Sequence, residues 1–118
     1  MATYIMLTRL SAQALDSPDS VEDLARKVQG RVRLDCPGAR WLANYALLGP
    51  YDYLDIFEAP DADTATKISL LVRSLGHATT ETWMATPWSR FLELASGLKS
   101  IRLPQGQHRP AKEAVALK

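Results

Sequence analysis

Apolar residues recur along this chain with two periods, and the alternation of those periods predicts its elements. Thr3 to Leu10 (TYIMLTRL) is a run of β-branched, aromatic and long apolar residues that reads as a strand. From Val21 the spacing changes. Val21, Leu24, Ala25, Val28 and Val32 form one helical stripe, with Arg26, Lys27, Arg31 and Arg33 largely off it. The helix should open near Ser17-Pro18-Asp19, because proline's missing N–H is harmless in a first turn. Ser17, or Asp19 with Glu22, can supply the cap. Pro37-Gly38 ends it. Two strands follow, Ala39 to Leu48 and Tyr51 to Ala59, joined by a turn at Gly49-Pro50. Asp61 or Asp63 caps a second helix with its stripe at Ala65, Ile68, Val72 and Leu75, and Gly76 is placed to end it. His77 to Ala85 is a fourth strand. Thr86-Pro87 then opens a third helix carrying Trp88, Phe91, Leu92, Ala95 and Leu98 on one face.

The order β-α-β-β-α-β plus a helix is the ferredoxin-like split βαβ pattern, an α+β fold. Right-handed crossovers place the first two helices on one face of a four-stranded antiparallel sheet. The other face should then be polar in a solitary molecule, with apolar and polar residues alternating along each strand. These strands do not alternate. Trp41, Ala43, Tyr45 and Leu47 oppose Leu42, Ala46 and Leu48; Tyr4 and Met6 stand beside Ile5 and Leu7; Tyr53 and Phe57 stand beside Leu54 and Ile56. An uncovered face of that kind would be an unusually large apolar patch. Each buried methylene contributes about 0.8 kcal/mol, so two such sheets are expected to pack face to face in a homodimer or higher homo-oligomer.

Composition narrows the classes without naming a chemistry. With 118 residues, 47% hydrophobic and 23% charged, the chain suits one soluble globular domain. No apolar run approaches the ~20 residues of a membrane helix, and the N-terminal stretch lacks the basic region of a signal peptide. A single cysteine, Cys36, allows no internal disulfide. Together these point to the cytoplasm. The net charge of +1 conceals a division: residues 1–98 balance to −3 and residues 99–118 to +4. The expected organisation is a domain over 1–98 followed by a basic, irregular tail over 99–118. That tail has no aromatic residue to stack on bases, which argues against nucleic acid as the partner.

Around the turn, LLGPYDYLDIFEAPD resembles the signature of the GYD-domain family, here with Pro50 between the glycine and the tyrosine. MATYIMLTRL and GHATTETWMATPWSRF resemble the same family, over about residues 1–95. The resemblance implies the dimeric α/β-barrel superfamily, which holds small monooxygenases, heme-handling proteins, isomerases and effector-binding modules. A fold shared so widely does not choose among them.

The candidate chemistry is sparse. His77, at the start of the fourth strand, and Asp52, in the turn, are the candidate catalytic residues, as proton-transfer groups of a cofactor-independent enzyme. The plainer reading makes Asp52 an acceptor of backbone N–H groups and His77 a hydrogen-bonded structural residue. Arg9, Asn44, Tyr53, Asp55, Glu81 and Trp83 interrupt or edge the apolar strands, and are candidate ligand-binding residues if they face a mostly apolar cavity between sheets or subunits. Arg9 and Asp55 could instead form a cross-strand ion pair. Cys36 stands beside Asp35, which raises rather than lowers a thiol pKa. No second histidine or cysteine stands at ligand spacing, and there is no glycine-rich phosphate loop, so neither a metal nor a cofactor is expected. Three readings follow: an oligomeric module binding a small molecule, a small monooxygenase- or isomerase-like enzyme, and a structural subunit of a larger assembly.

Overall fold

The computed structural model describes residues 1–14, 18–76 and 78–98. Its elements are β1 (Ala2–Leu10), α1 (Pro18–Asp35), β2 (Arg40–Ala46), β3 (Tyr53–Ala59), α2 (Ala62–Gly76), β4 (Ala78–Ala85) and α3 (Trp88–Ser96). The expected order is the observed one. The strands form one antiparallel sheet in the order β2-β3-β1-β4, the ferredoxin-like arrangement. The proposed cap at Ser17, the candidate His77 and the basic tail from residue 99 lie outside the described residues. Among the described residues, no helix is long and apolar enough to cross a membrane.

Register assigns the two sheet faces. Tyr4 opposes Phe57, Met6 opposes Asp55 and Thr8 opposes Tyr53. Tyr4, Met6, Phe57 and Ala59 pack with Val32 and Cys36 from the α1 end and with Ala65, Ile68 and Val72 of α2, so these strand positions face the helices. Tyr4 and Trp41 both stack on Phe57, at centroid distances of 5.5 and 4.8 Å. The opposite face carries Ile5, Leu7, Leu54, Ile56, Tyr45 and Trp83, as the failure of alternation predicted.

Two local features depart from the pattern in the residues. The expected tight turn at Gly49-Pro50 is a six-residue connection, because β2 ends at Ala46 and β3 starts at Tyr53. Asp52 draws this connection towards β1. Its N–H donates to the Thr8 carbonyl at 2.8 Å, its carbonyl accepts from the Leu47 N–H at 2.9 Å, and its carboxylate accepts from the Leu10 N–H at 2.7 Å. The second departure is a bulge between Trp41 and Ala43. The extra residue, Leu42, is left 46% exposed, and the parity of β2 switches there. Trp41 therefore shares the helix-side face with Asn44 and Ala46, while Ala43 and Tyr45 take the other.

α2 is capped as expected. The Asp61 carboxylate accepts from the Thr64 N–H at 2.8 Å and the Thr64 hydroxyl at 2.6 Å. These bonds hold the Asp61 carboxyl below its ordinary range. Residues 1–86 form one compact unit. α3 belongs to the second and buries none of its side chains; Trp88 and Phe91 stack at 5.0 Å along its surface.

Candidate functional site

The helix-side face of the sheet is covered unevenly. α2 lies against β1, β3 and β4, whereas α1 runs beside α2 and has no close approach to any strand. Burial along the α1 stripe records the consequence. Val32 and the following Cys36 are buried, but Val21, Leu24 and Val28 are only half-buried. The helix is thus anchored at its C-terminal end and stands off the sheet towards its start. Below it opens a cleft of about 910 Å³, walled by this stripe, by Met6, Thr8 and Leu10 of β1, and by the helix-side residues of β2 and β3. Its size suits a small ligand, for which pockets of roughly 300–1,000 Å³ are usual.

Three of the residues singled out from the sequence meet there: Asn44, Tyr53 and Asp55. Asn44 and Asp55 are directly opposed on neighbouring strands, and Tyr53 stands two positions before Asp55 on the same face. The Trp41 indole N–H donates to the Asp55 carboxylate at 3.1 Å. Burial pushes the Asp55 carboxyl above its ordinary value of 3.8, with the Trp41 hydrogen bond opposing the rise. Burial also raises the Tyr53 phenol, helped by the negative charges of Asp52 and Asp55. The cleft floor therefore combines an apolar lining with a carboxyl, an amide and a phenol.

The remaining candidates are elsewhere. Arg9, Glu81 and Trp83 share the opposite face of the sheet, as the pairing of Leu7 with Glu81 and of Ile5 with Trp83 requires. Arg9 donates to the Pro50 carbonyl at 2.7 Å and lies 5.4 Å from the Tyr51 ring centre. The Tyr51 hydroxyl donates to Glu81, and the Trp83 indole N–H donates to the other Glu81 oxygen at 3.1 Å. Both donors hold the Glu81 carboxyl below its ordinary range, Tyr51 more strongly. The Arg9–Asp55 ion pair considered above does not form, because the two residues project from opposite faces. Asp52 does not line the cleft, and its carboxylate is engaged by Leu10.

Sequence reasoning missed three members of the cleft. Thr8 lines it and is 3% exposed, and its hydroxyl has no hydrogen-bond partner among the described residues. Its strand parity with Tyr4 and Met6 was the available signal. Trp41 was assigned to the wrong neighbours because nothing in the residues marks the bulge. Cys36 lines the deep end, where burial raises its thiol, Asp35 adds to the rise and Lys67 opposes it. It is therefore a poor nucleophile. Among the described residues, no cluster of three or more His, Cys, Asp or Glu side chains could hold a metal ion.

The model of the GYD domain family matches residues 4–95. A Thermus thermophilus protein named glutamine synthetase and cystathionine beta-lyase binding protein is 33% identical over 87 residues, which is 74% of this chain and 90% of that protein. Among solved structures, one of a Thermus thermophilus protein superposes with a TM-score of 0.51 at 21% identity, covering 74% of this chain and 95% of the other. The leucine response regulatory protein of Mycobacterium tuberculosis superposes with the same TM-score of 0.51 at 9% identity, covering 73% of this chain. This chain spans about half that regulator's length (51%), so the likeness concerns the fold alone.

Proposed function

The chain belongs to the GYD-domain family, and from that premise we propose that it is a non-enzymatic binding module that takes a small, mostly apolar molecule in the cleft beneath α1. The observation that carries this reading is the stand-off of α1 over a floor bearing Asn44, Tyr53 and Asp55. A helix whose apolar stripe is only half-covered gains from any apolar body placed under it. A ligand should raise the melting temperature of the folded chain. A metabolite screen in which no compound does so would count against the reading.

The same chain is proposed to self-associate through the face carrying Ile5, Leu7, Leu54, Ile56, Tyr45 and Trp83, where Trp83 is 51% and Tyr45 59% exposed. Light scattering coupled to size exclusion checks this: a folded monomer at micromolar concentration excludes the sheet-to-sheet dimer. A second reading, a partner-docking protein, is favoured by the name of the 33%-identical relative. Pull-down of purified glutamine synthetase and cystathionine beta-lyase by the full chain tests it, and failure with both leaves the small-molecule reading standing.

A further inference from the structure

We propose that the cleft selects molecules with an ammonium head on an apolar body, and that Asp55 is the counter-ion for that head; this rests on the binding reading above. Asp55 sits mid-strand on β3, one strand in from the sheet edge, on the face turned to the helices. A branched apolar residue would satisfy that position as a strand residue and as a core residue. The chain places a carboxylate there. Across it stand Met6 on β1 and Asn44 on β2. No Lys, Arg or His of the described residues forms an ion pair with it. Trp41 is its one hydrogen-bond partner among the described residues.

A half-buried carboxylate with one neutral donor among the described residues keeps acceptor capacity free, because it can accept about four hydrogen bonds, and a cation placed against it offsets the water its charge has partly lost. The Trp41 indole is a donor only, so it fixes the carboxylate's orientation without neutralising it. An entering ammonium supplies both the missing charge and the missing donors. An entering carboxylate meets like charge and finds no cation on the floor; the other charged lining residues, Glu22 and Arg33, both come from α1. The half-buried Val21, Leu24 and Val28 cover the apolar body.

The test is calorimetric titration of the full chain at neutral pH with three probes that share one body: 3-phenylpropylamine, 3-phenylpropanol and 3-phenylpropionate. The amine is expected to bind at least about tenfold more tightly than the alcohol, the scale of a hydrogen bond to a charged group, and the propionate most weakly. Asp55→Asn should bring the amine's affinity down to that of the alcohol in the same variant, since the amide oxygen still accepts from Trp41 but carries no charge. Alcohol or propionate binding as well as the amine overturns the ammonium assignment while leaving the cleft reading intact. No binding by any of the three, with Val28→Trp as the filled-cleft control giving the same heats, overturns both. An amine preference that survives Asp55→Asn assigns the selection to another group and overturns the role given to Asp55. If Asp55→Asn fails to fold, the probe order on the unmodified chain decides.

Discussion

The two helices that cover this sheet do so by opposite means. α2 brings small and medium residues, Ala65, Ile68 and Val72, down to burial against the sheet, and its Ser69 hydroxyl reaches Thr80 of β4 at 2.7 Å. α1 carries an equally regular stripe, yet only its last member, Val32, is buried, while Val28 packs against the core half-covered. Both sequences have helical periodicity, both helices are amphipathic, and only one closes on the strands. The floor explains the difference. Under α2 the sheet offers Tyr4, Met6, Phe57 and Ala59 together with the short hydroxyls of β4, one of which Ser69 meets with a hydrogen bond. Under α1 it offers Asn44, Tyr53 and Asp55, which an apolar helix cannot cover without stripping water from groups it cannot hydrogen-bond.

The largest effect should come from truncating the sealed side and finding little at the open one. Ile68→Ala removes a fully buried side chain and is expected to destabilise by about 2–5 kcal/mol. Leu24→Ala in the half-covered stripe should cost about 1 kcal/mol or less. Urea unfolding of both variants checks the contrast, and equal losses would mean that α1 is as firmly seated as α2. Enlarging side chains reverses the probe. Ala65→Leu forces methylenes into a packed layer and should cost about 1–3 kcal/mol. Ala25→Leu projects into the cleft and should fall within about 0.5 kcal/mol of neutral, while weakening any ligand that occupies the same space. A fifth variant tests the tie between β1 and the connection from β2 to β3. Asp52→Ala leaves the Leu10 N–H without its acceptor and should destabilise by about 1–3 kcal/mol. The same variant separates structure from catalysis: a clamp loses stability, whereas a proton-transfer group would not.

The element order was legible because periodicity survives without tertiary information: the three stripes and the two-sided strands each declare themselves locally. The α2 cap was legible for the same reason, since Asp61 and Thr64 are three residues apart and bond within one turn. The site was half legible. Polar interruptions in apolar strands pointed to Asn44, Tyr53 and Asp55, but the same rule selected Glu81, which lies on the other face with the further candidates Arg9 and Trp83. Face is a matter of register and bulges, and the bulge at Leu42 carries no glycine, proline or other local sign. The expected cavity between sheets and the cleft found beneath α1 differ for a related reason. How far a helix stands from a sheet depends on what the strands present beneath it, and that pairing is non-local.

The smallest effect, and the most specific to the comparison, is a dependence of stability on pH that resides on the open side. Burial raises the Asp55 carboxyl in the folded chain above 3.8, its ordinary value, which the unfolded chain retains. Between those two values the folded chain binds more protons than the unfolded one, so stability falls as pH rises through that window and stays lower above it. The capping carboxylate of α2 behaves in the opposite way. Asp61, held low by Thr64, contributes stability that is present above its unfolded pKa and lost as pH falls through its folded one. Subtracting the profile of Asp55→Asn from that of the parent chain isolates the Asp55 contribution. The difference should be small at acid pH and grow, in favour of the variant, as pH climbs past the carboxylate range. A variant more stable than the parent at neutral pH but indifferent to an amine would identify Asp55 as a group held at the expense of stability for what it binds. A flat difference would mean that solvent already satisfies the carboxylate, and that the two halves of the sheet differ in packing but not in purpose.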